Sequence, residues 1–132
     1  MATTRVWRLM GHYDAETATY SGCAGASQTS PYTPDFSGRI VALRTQVSAE
    51  AATSLVQHVQ FRLSCTTFKP NAIECYAQGN GLQTVPAFSQ MSKDFVVDQM
   101  VQAGVPITVE GRCNVGTDVT NNTFLYGLFE VA

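Results

Sequence analysis

Any acid–base chemistry in this chain has to begin with two histidines, His12 and His58. His12 stands two residues ahead of Asp14, near enough for the carboxylate to orient an imidazole as a general base. A histidine beside an aspartate in a loop is commonplace, however, and nothing adjacent completes a catalytic set. His58 falls on the polar row of an alternating run, where a hydrogen-bonded surface residue is the simpler reading. The four cysteines, Cys23, Cys65, Cys75 and Cys113, form no CxxC pair and have no metal-ligand spacing. A nucleophilic cysteine needs a base or a cation beside it, and Cys75 has Glu74 instead. We read the cysteines as small buried hydrophobes in reduced form, with a Cys65–Cys75 bridge across a hairpin as the alternative outside a cell. Asp94 and Asp98, at i and i+4, would share one face of a helix, a weak signal for Ca²⁺ or glycoside chemistry. Phosphate-binding glycine loops, GxSxG, HExxH and EF-hand motifs do not occur. The chain therefore reads as non-enzymatic, with no cofactor and no metal.

Composition narrows the remaining classes. With 132 residues the chain has the length of one domain, and we expect a single one over 1–132. Only 14% of residues are charged, against about 25% in ordinary globular proteins, so much of the surface must be neutral or hidden against partners. Six arginines are scattered, only two lysines (Lys69 and Lys93) accompany them, and the net charge is −2. A nucleic-acid binder draws its affinity from neutralised phosphates, and this balance argues against one. It argues equally against a polybasic membrane anchor. The N-terminal MATTRVWRLMGHYD offers no apolar signal-peptide core, so folding in a cytosol is expected. Without such a signal, the sequon at Asn121-Asn122-Thr123 reads as chance.

The elements that would position any site are strands. In the C-terminal quarter, Ile107, Val109, Cys113 and Val115 alternate with Thr108, Glu110, Arg112 and Asn114. A polar GTDVTNN stretch then leads to Thr123–Val131, and we read the two runs as a β-hairpin. Leu125, Tyr126, Leu128 and Phe129 are too crowded for one face. Either the last strand is central and covered on both sides, or a neighbouring subunit or the chain's own early loop buries its second face. Residues 1–10 form an arm or a first strand, with Val6 and Met10 opposite Trp7 and Leu9. Residues 11–38 form a long ordered loop, and the main sandwich occupies 39–132. Arg39–Val47 puts Val41, Leu43, Thr45 and Val47 on one face. The cleanest alternation is Leu55–Cys65, and Ala72–Gln78 turns Ile73, Cys75 and Ala77 inward. Ser48–Ser54 is a connector, and Leu82–Phe88, interrupted by Pro86, is an edge strand or loop. Residues 92–104 could be a helix capped by Ser92 or a strand, and their Val content favours a strand. The expectation is an all-β sandwich of about seven or eight strands, jelly-roll or Ig-like.

Aromatics on arms and loops bury large area at low entropic cost and are enriched at subunit interfaces. Trp7, Tyr13, Tyr20, Tyr32 and Phe36, with Tyr126 on the crowded last strand, are therefore the candidate interface residues. The competing role for the loop aromatics is to cap the open ends of the sandwich.

The arm MATTRVWRLM, the loop TSPYTPDFSG and the strands RIVALRTQV, VQHVQFRLSC and ITVEGRCNV together resemble small β-sandwich or jelly-roll virus structural proteins. These are the coat and capsid-decoration (cement) subunits of phages and other viruses. The resemblance implies a virion protein assembled in the host cytoplasm. Its partners would be copies of itself, with a trimer as the expected oligomer, and other capsid proteins. With only Arg5 and Arg8 in its arm, such a subunit would contact protein rather than genome. The alternative is a carbohydrate- or ligand-binding sandwich module whose Tyr20 or Tyr32 stacks on sugars.

Overall fold

In a computed structural model, residues 3–13, 19–22, 31–48, 57–79, 90–113 and 123–131 are described. They form β1 (Thr4–Tyr13), β2 (Ser21–Gly22), β3 (Gly38–Ser48), β4 (Gln57–Ser64), β5 (Ala72–Gly79), β6 (Gln90–Val101), β7 (Thr108–Cys113) and β8 (Thr123–Val131). These make two four-stranded sheets, sheet A in the order β1-β8-β3-β6 and sheet B in the order β2-β7-β4-β5. Every pairing is antiparallel. The first strand pairs with the last, the second with the seventh, the third with the sixth, and the fourth with the fifth. The chain is thus a long antiparallel ribbon folded over on itself, which is the jelly-roll order; the Ig-like alternative is set aside.

That order corrects the C-terminal hairpin. β7 and β8 follow one another in sequence but lie in opposite sheets, β7 against β2 and β4, β8 against β1 and β3. Each turns an apolar row toward the same core from opposite sides, and alternation alone cannot distinguish this from hairpin pairing. The 92–104 segment is a strand as far as Val101. Its burial alternates, with Phe95, Val97 and Gln99 partly buried and Asp94, Val96, Asp98 and Met100 exposed.

The core joins Met10 and Tyr13 of β1, Ile40 and Leu43 of β3, Phe61 and Leu63 of β4, Val109 of β7, and Leu125 and Phe129 of β8. A β-bulge places Ile40 and Leu43 on the same side: the register shifts between Ile40 and Ala42, so β3 changes which parity faces inward. Val41, expected inward with Leu43 and Thr45, is consequently only half-buried while Ile40 is fully buried. β4 and β5 do form a hairpin. Phe61, not Cys65, is the Cα partner of Cys75, and both Cys65 and Cys75 are free and buried. The loop between them places Phe68 in the core, fully buried.

The stretch expected as one loop over 11–38 is instead built into both sheets. β1 continues to Tyr13, β2 adds to sheet B, and Tyr32 exchanges two backbone hydrogen bonds with Ile107, at 2.8 and 2.7 Å. Farther along, the Gly104 amide donates to the Pro34 carbonyl at 3.0 Å, and the Ala103 amide donates to Ser37 Oγ at 3.0 Å. Gly104 adopts φ +81° in the turn that donates these bonds, a conformation glycine alone takes without strain. The 82–88 run and most of the 48–54 connector lie outside the described residues.

At the start of β3, Gly38 pairs with Val131, and a Cβ there would meet the backbone carbonyl of Glu130. Backbone cannot rotate away as a side chain can, so Gly38→Ala should cost about 1–3 kcal/mol of stability. Urea unfolding measures it. An unchanged midpoint would mean that β3 and β8 approach less closely than described here.

Candidate docking face

Alternation sends the even-numbered residues of β8 outward from sheet A, and the pairing aligns the neighbouring strands on them. Three rows result, read from β1 to β6. The middle row is Trp7, Leu128, Ala42 and Val96. On one side of it stand Arg5, Glu130 and Arg39, with Met100 opposite Arg39 and Asp98 beside it. On the other side stand Leu9, Tyr126, Arg44 and Asp94. The apolar row thus crosses the whole sheet between two polar ones. Among the described residues, the large hydrophobic side chains that are exposed are Val96 at 94%, Met100 at 58% and Trp7 at 37%, and all three belong to this face.

The flanking charges are neutralised in pairs. Arg5 Nη2 lies 2.9 Å from Glu130 Oε2, and Arg39 Nε donates to Asp98 Oδ1 at 2.6 Å. Arg44 grips Asp94 through two hydrogen bonds, Nε to Oδ1 at 2.7 Å and Nη2 to Oδ2 at 3.0 Å. That hydrogen-bonded pairing, reinforced by charge, lowers the Asp94 carboxyl and raises the Arg44 guanidinium from their ordinary values. Such exposed pairs add little stability, but they leave the face without net charge. The Arg44 guanidinium also sits 4.3 Å from the centre of the Trp7 ring. Trp7, Arg44, Gln46 and Tyr126 line a shallow pocket of about 230 Å³.

The opposite outer face differs. On sheet B, Arg62 Nη2 meets Glu110 Oε1 at 3.0 Å and Arg112 Nε donates to Gln60 Oε1 at 2.6 Å. Tyr20 lies over both cations, its ring centre 4.1 Å from the Arg62 guanidinium and 4.5 Å from that of Arg112. Burial, and secondarily Glu74, push its phenol upward against the pull of Arg112 and Arg62. The Tyr20 hydroxyl is buried without a hydrogen-bond partner.

Of the six aromatics expected at an interface, the fold brings together two, Trp7 and Tyr126. Tyr13 is not a surface residue: it ends β1 with its side chain 1% exposed in the core. Tyr32 and Phe36 pack on Phe129, stacked at 5.9 Å and edge-on at 5.0 Å, and so cap one end of the sandwich. Tyr20 is on the far sheet. The crowding of the last strand points to Leu128, but sequence reasoning missed Val96, Met100 and Leu9. Their outward parity was available as a signal, but only once 92–104 is assigned to a strand and β8 to a place beside β1.

His12 stacks on Phe124, with ring centres 4.5 Å apart and planes 5° from parallel. Asp14, Cys23, the side chains of His58 and Cys113, and the two sequon asparagines lie outside the described residues. Asp94 and Asp98 do not converge: on a strand, four residues span about 13 Å, and each carboxylate is held by a different arginine. Among the described residues no three His, Cys, Asp or Glu side chains gather into a set that could hold a metal ion.

Two measurements probe this geometry. Because the folded Asp94 value is depressed, its pair with Arg44 stabilises the fold above the unfolded Asp pKa of about 3.9 and ceases to do so as pH falls through the lower folded value. Carbon-detected NMR titration should give Asp94 a midpoint below that of an unfolded aspartate, and Arg44→Gln should move it upward. Tyr20→Phe keeps the ring and removes the unpartnered hydroxyl, so stability should hold or rise. Tyr20→Ala should lose about 1–2 kcal/mol in thermal or urea unfolding through the lost cation–π packing.

No family model matches the chain, and no curated protein sequence matches it. Among solved structures the chain is similar to one titled "Structure of Eiger TNF from S. frugiperda", with 11% identity, 98% of this chain and 93% of that chain covered, and a TM-score of 0.43.

Proposed function

We infer that the chain is a non-enzymatic assembly subunit, a viral capsid or capsid-decoration protein that associates with copies of itself through sheet A. The observation that carries the assembly reading is the grouping of Trp7, Val96 and Met100 on one outer face, with Val96 94% exposed. A single outward valine is ordinary on a protein surface. An apolar row spanning four strands, with every flanking charge already paired, is the composition of an interface centre. The opposite face, paired and cation-stacked, gives the subunit one sticky side. The virion assignment rests on the sequence resemblance, carried by few lysines and a one-domain sandwich; the arm, with only Arg5 and Arg8, departs from basic-armed coat proteins and favours a subunit that contacts protein. In such a setting the chain would be made in the host cytoplasm and would touch protein rather than nucleic acid or membrane.

A second reading, a saccharide-binding module, draws on the pocket of Trp7, Arg44, Gln46 and Tyr126, which combines aromatic faces with groups able to hydrogen-bond hydroxyls.

Light scattering behind size-exclusion chromatography separates the two. An assembly subunit should show a mass that rises above that of one chain as concentration increases. A strictly monomeric protein at millimolar concentration would sink the assembly reading. Glycan-array binding lost on Trp7→Ala, without self-association, would replace it with the second.

A further inference from the structure

We propose that the outer face of sheet A docks onto the same face of a second copy, about a two-fold axis running along the strands between β8 and β3. This rests on the assembly reading, which already names the partner and the sheet, and adds to it the symmetry axis and the register.

The argument is one of self-complementarity. A two-fold axis lying in the interface and parallel to the strands exchanges β1 with β6 and β8 with β3, and leaves each row facing itself in reverse order. The middle row, Trp7–Leu128–Ala42–Val96, then places each Trp7 over Val96 of the second copy and each Leu128 over Ala42. Large residues meet small ones at both positions, and Val96, the most exposed large apolar side chain among the described residues, falls under the Trp7 ring. The charged row runs Arg5, Glu130, Arg39 and Met100, with Asp98 beside Met100 on β6. Reversed on itself, it sets Glu130 against Arg39, opposite charges, and brings Arg5 over Met100 with Asp98 next to it. In the third row, Tyr126 faces Arg44 of the second copy, a ring beneath a guanidinium. The poorer matches, Leu9 against Asp94 and Arg5 against Met100, both lie on the rim, between the outer strands β1 and β6.

A two-fold axis across the strands does worse. It would keep each column facing itself, stack Trp7 on Trp7 and Val96 on Val96, and bring Arg39 toward Arg44 and Asp98 toward Asp94. Like charges directly opposed are disfavoured. The strand-parallel axis also leaves the two sheets aligned, the ordinary geometry for packed sheets.

The face is small, with about 14 Å between its outer strand axes. It falls at the low end of specific interfaces, so the pair should be weak and concentration-dependent in solution. Repetition in a larger assembly would strengthen it by multivalency.

Mixing the single variants Trp7→Cys and Val96→Cys under mild oxidation tests the register. Disulfide-linked dimers should join position 7 of one copy to position 96 of the other, about ten-fold over 7–7 and 96–96 links, as read by mass spectrometry of the linked peptides. Dominant 96–96 or 7–7 links would overturn the proposed axis. Val96→Arg gives an independent check, since a side chain 94% exposed can be replaced without disturbing the fold. It should weaken self-association at least about ten-fold while circular dichroism stays unchanged. If the variant associates as the unaltered chain does, another surface is used: the inference and the assignment to sheet A fall, and self-association alone stands. If the unaltered chain does not associate at all, the inference and the assembly reading both fall.

Discussion

The architecture hangs on the position of β8. This last strand lies between β1 and β3, so the chain's two ends must meet before sheet A exists. The closure is held from both sides. Inward, Leu125 and Phe129 are fully buried, and Gly127 lies so close to Met10 and Phe129 that a Cβ there would stand 2.6 Å from the Met10 sulfur. Tyr32 and Phe36 then close over Phe129, carried there by the 31–37 segment that is bonded to the turn after β6. A ring on β8 thus organises a segment more than ninety residues earlier in the sequence. Contacts of such separation form late and slowly in folding, because loop-closure entropy must be met before they reward it.

The central place of β8 also explains why its outward row is apolar. A strand flanked on both sides can be half-covered by its neighbours' side chains, and Leu128 and Tyr126 are half-buried with Trp7 and Arg44 beside them. Cover runs out toward β6, where among the described residues no strand lies beyond Val96 in the sheet. Sheet B solves the same problem differently, with alternating Arg, Glu and Gln tied across β4 and β7 and Tyr20 over them. Two sheets with one shared core therefore present unlike outer faces.

Much of the fold was readable in the sequence, and the failures have physical causes. Phe61 and Leu63 in β4 with Cys65 just after it, and Ile107 and Val109 before and in β7, follow a plain period of two, and burial agrees. β3 does not, because the bulge near Val41 switches parity within one strand and a single sequence carries no mark of it. The β7–β8 pairing was misread because both hairpins and opposed sandwich strands bury alternate residues. Phe68 sits in a turn between strands, where no periodicity can announce a core residue. As for the face, Trp7 and Tyr126 stood out as aromatics, but Val96 could not. Its exposure depends on which strands lie beside β6, a fact of topology rather than of local pattern.

The manner in which β6 ends sheet A bears on how the chain can associate at all. An edge strand of twelve residues is a template on which any other strand could pair. Asp94 and Asp98 place charges along it, drawn back over the sheet by Arg44 and Arg39. Another copy approaching edge to edge would have to accommodate those charges beside its backbone. One approaching face to face meets them already neutralised, with Val96 standing between them. The same two ion pairs thus guard the edge strand against sideways pairing and flank the apolar row on the outer face of the sheet.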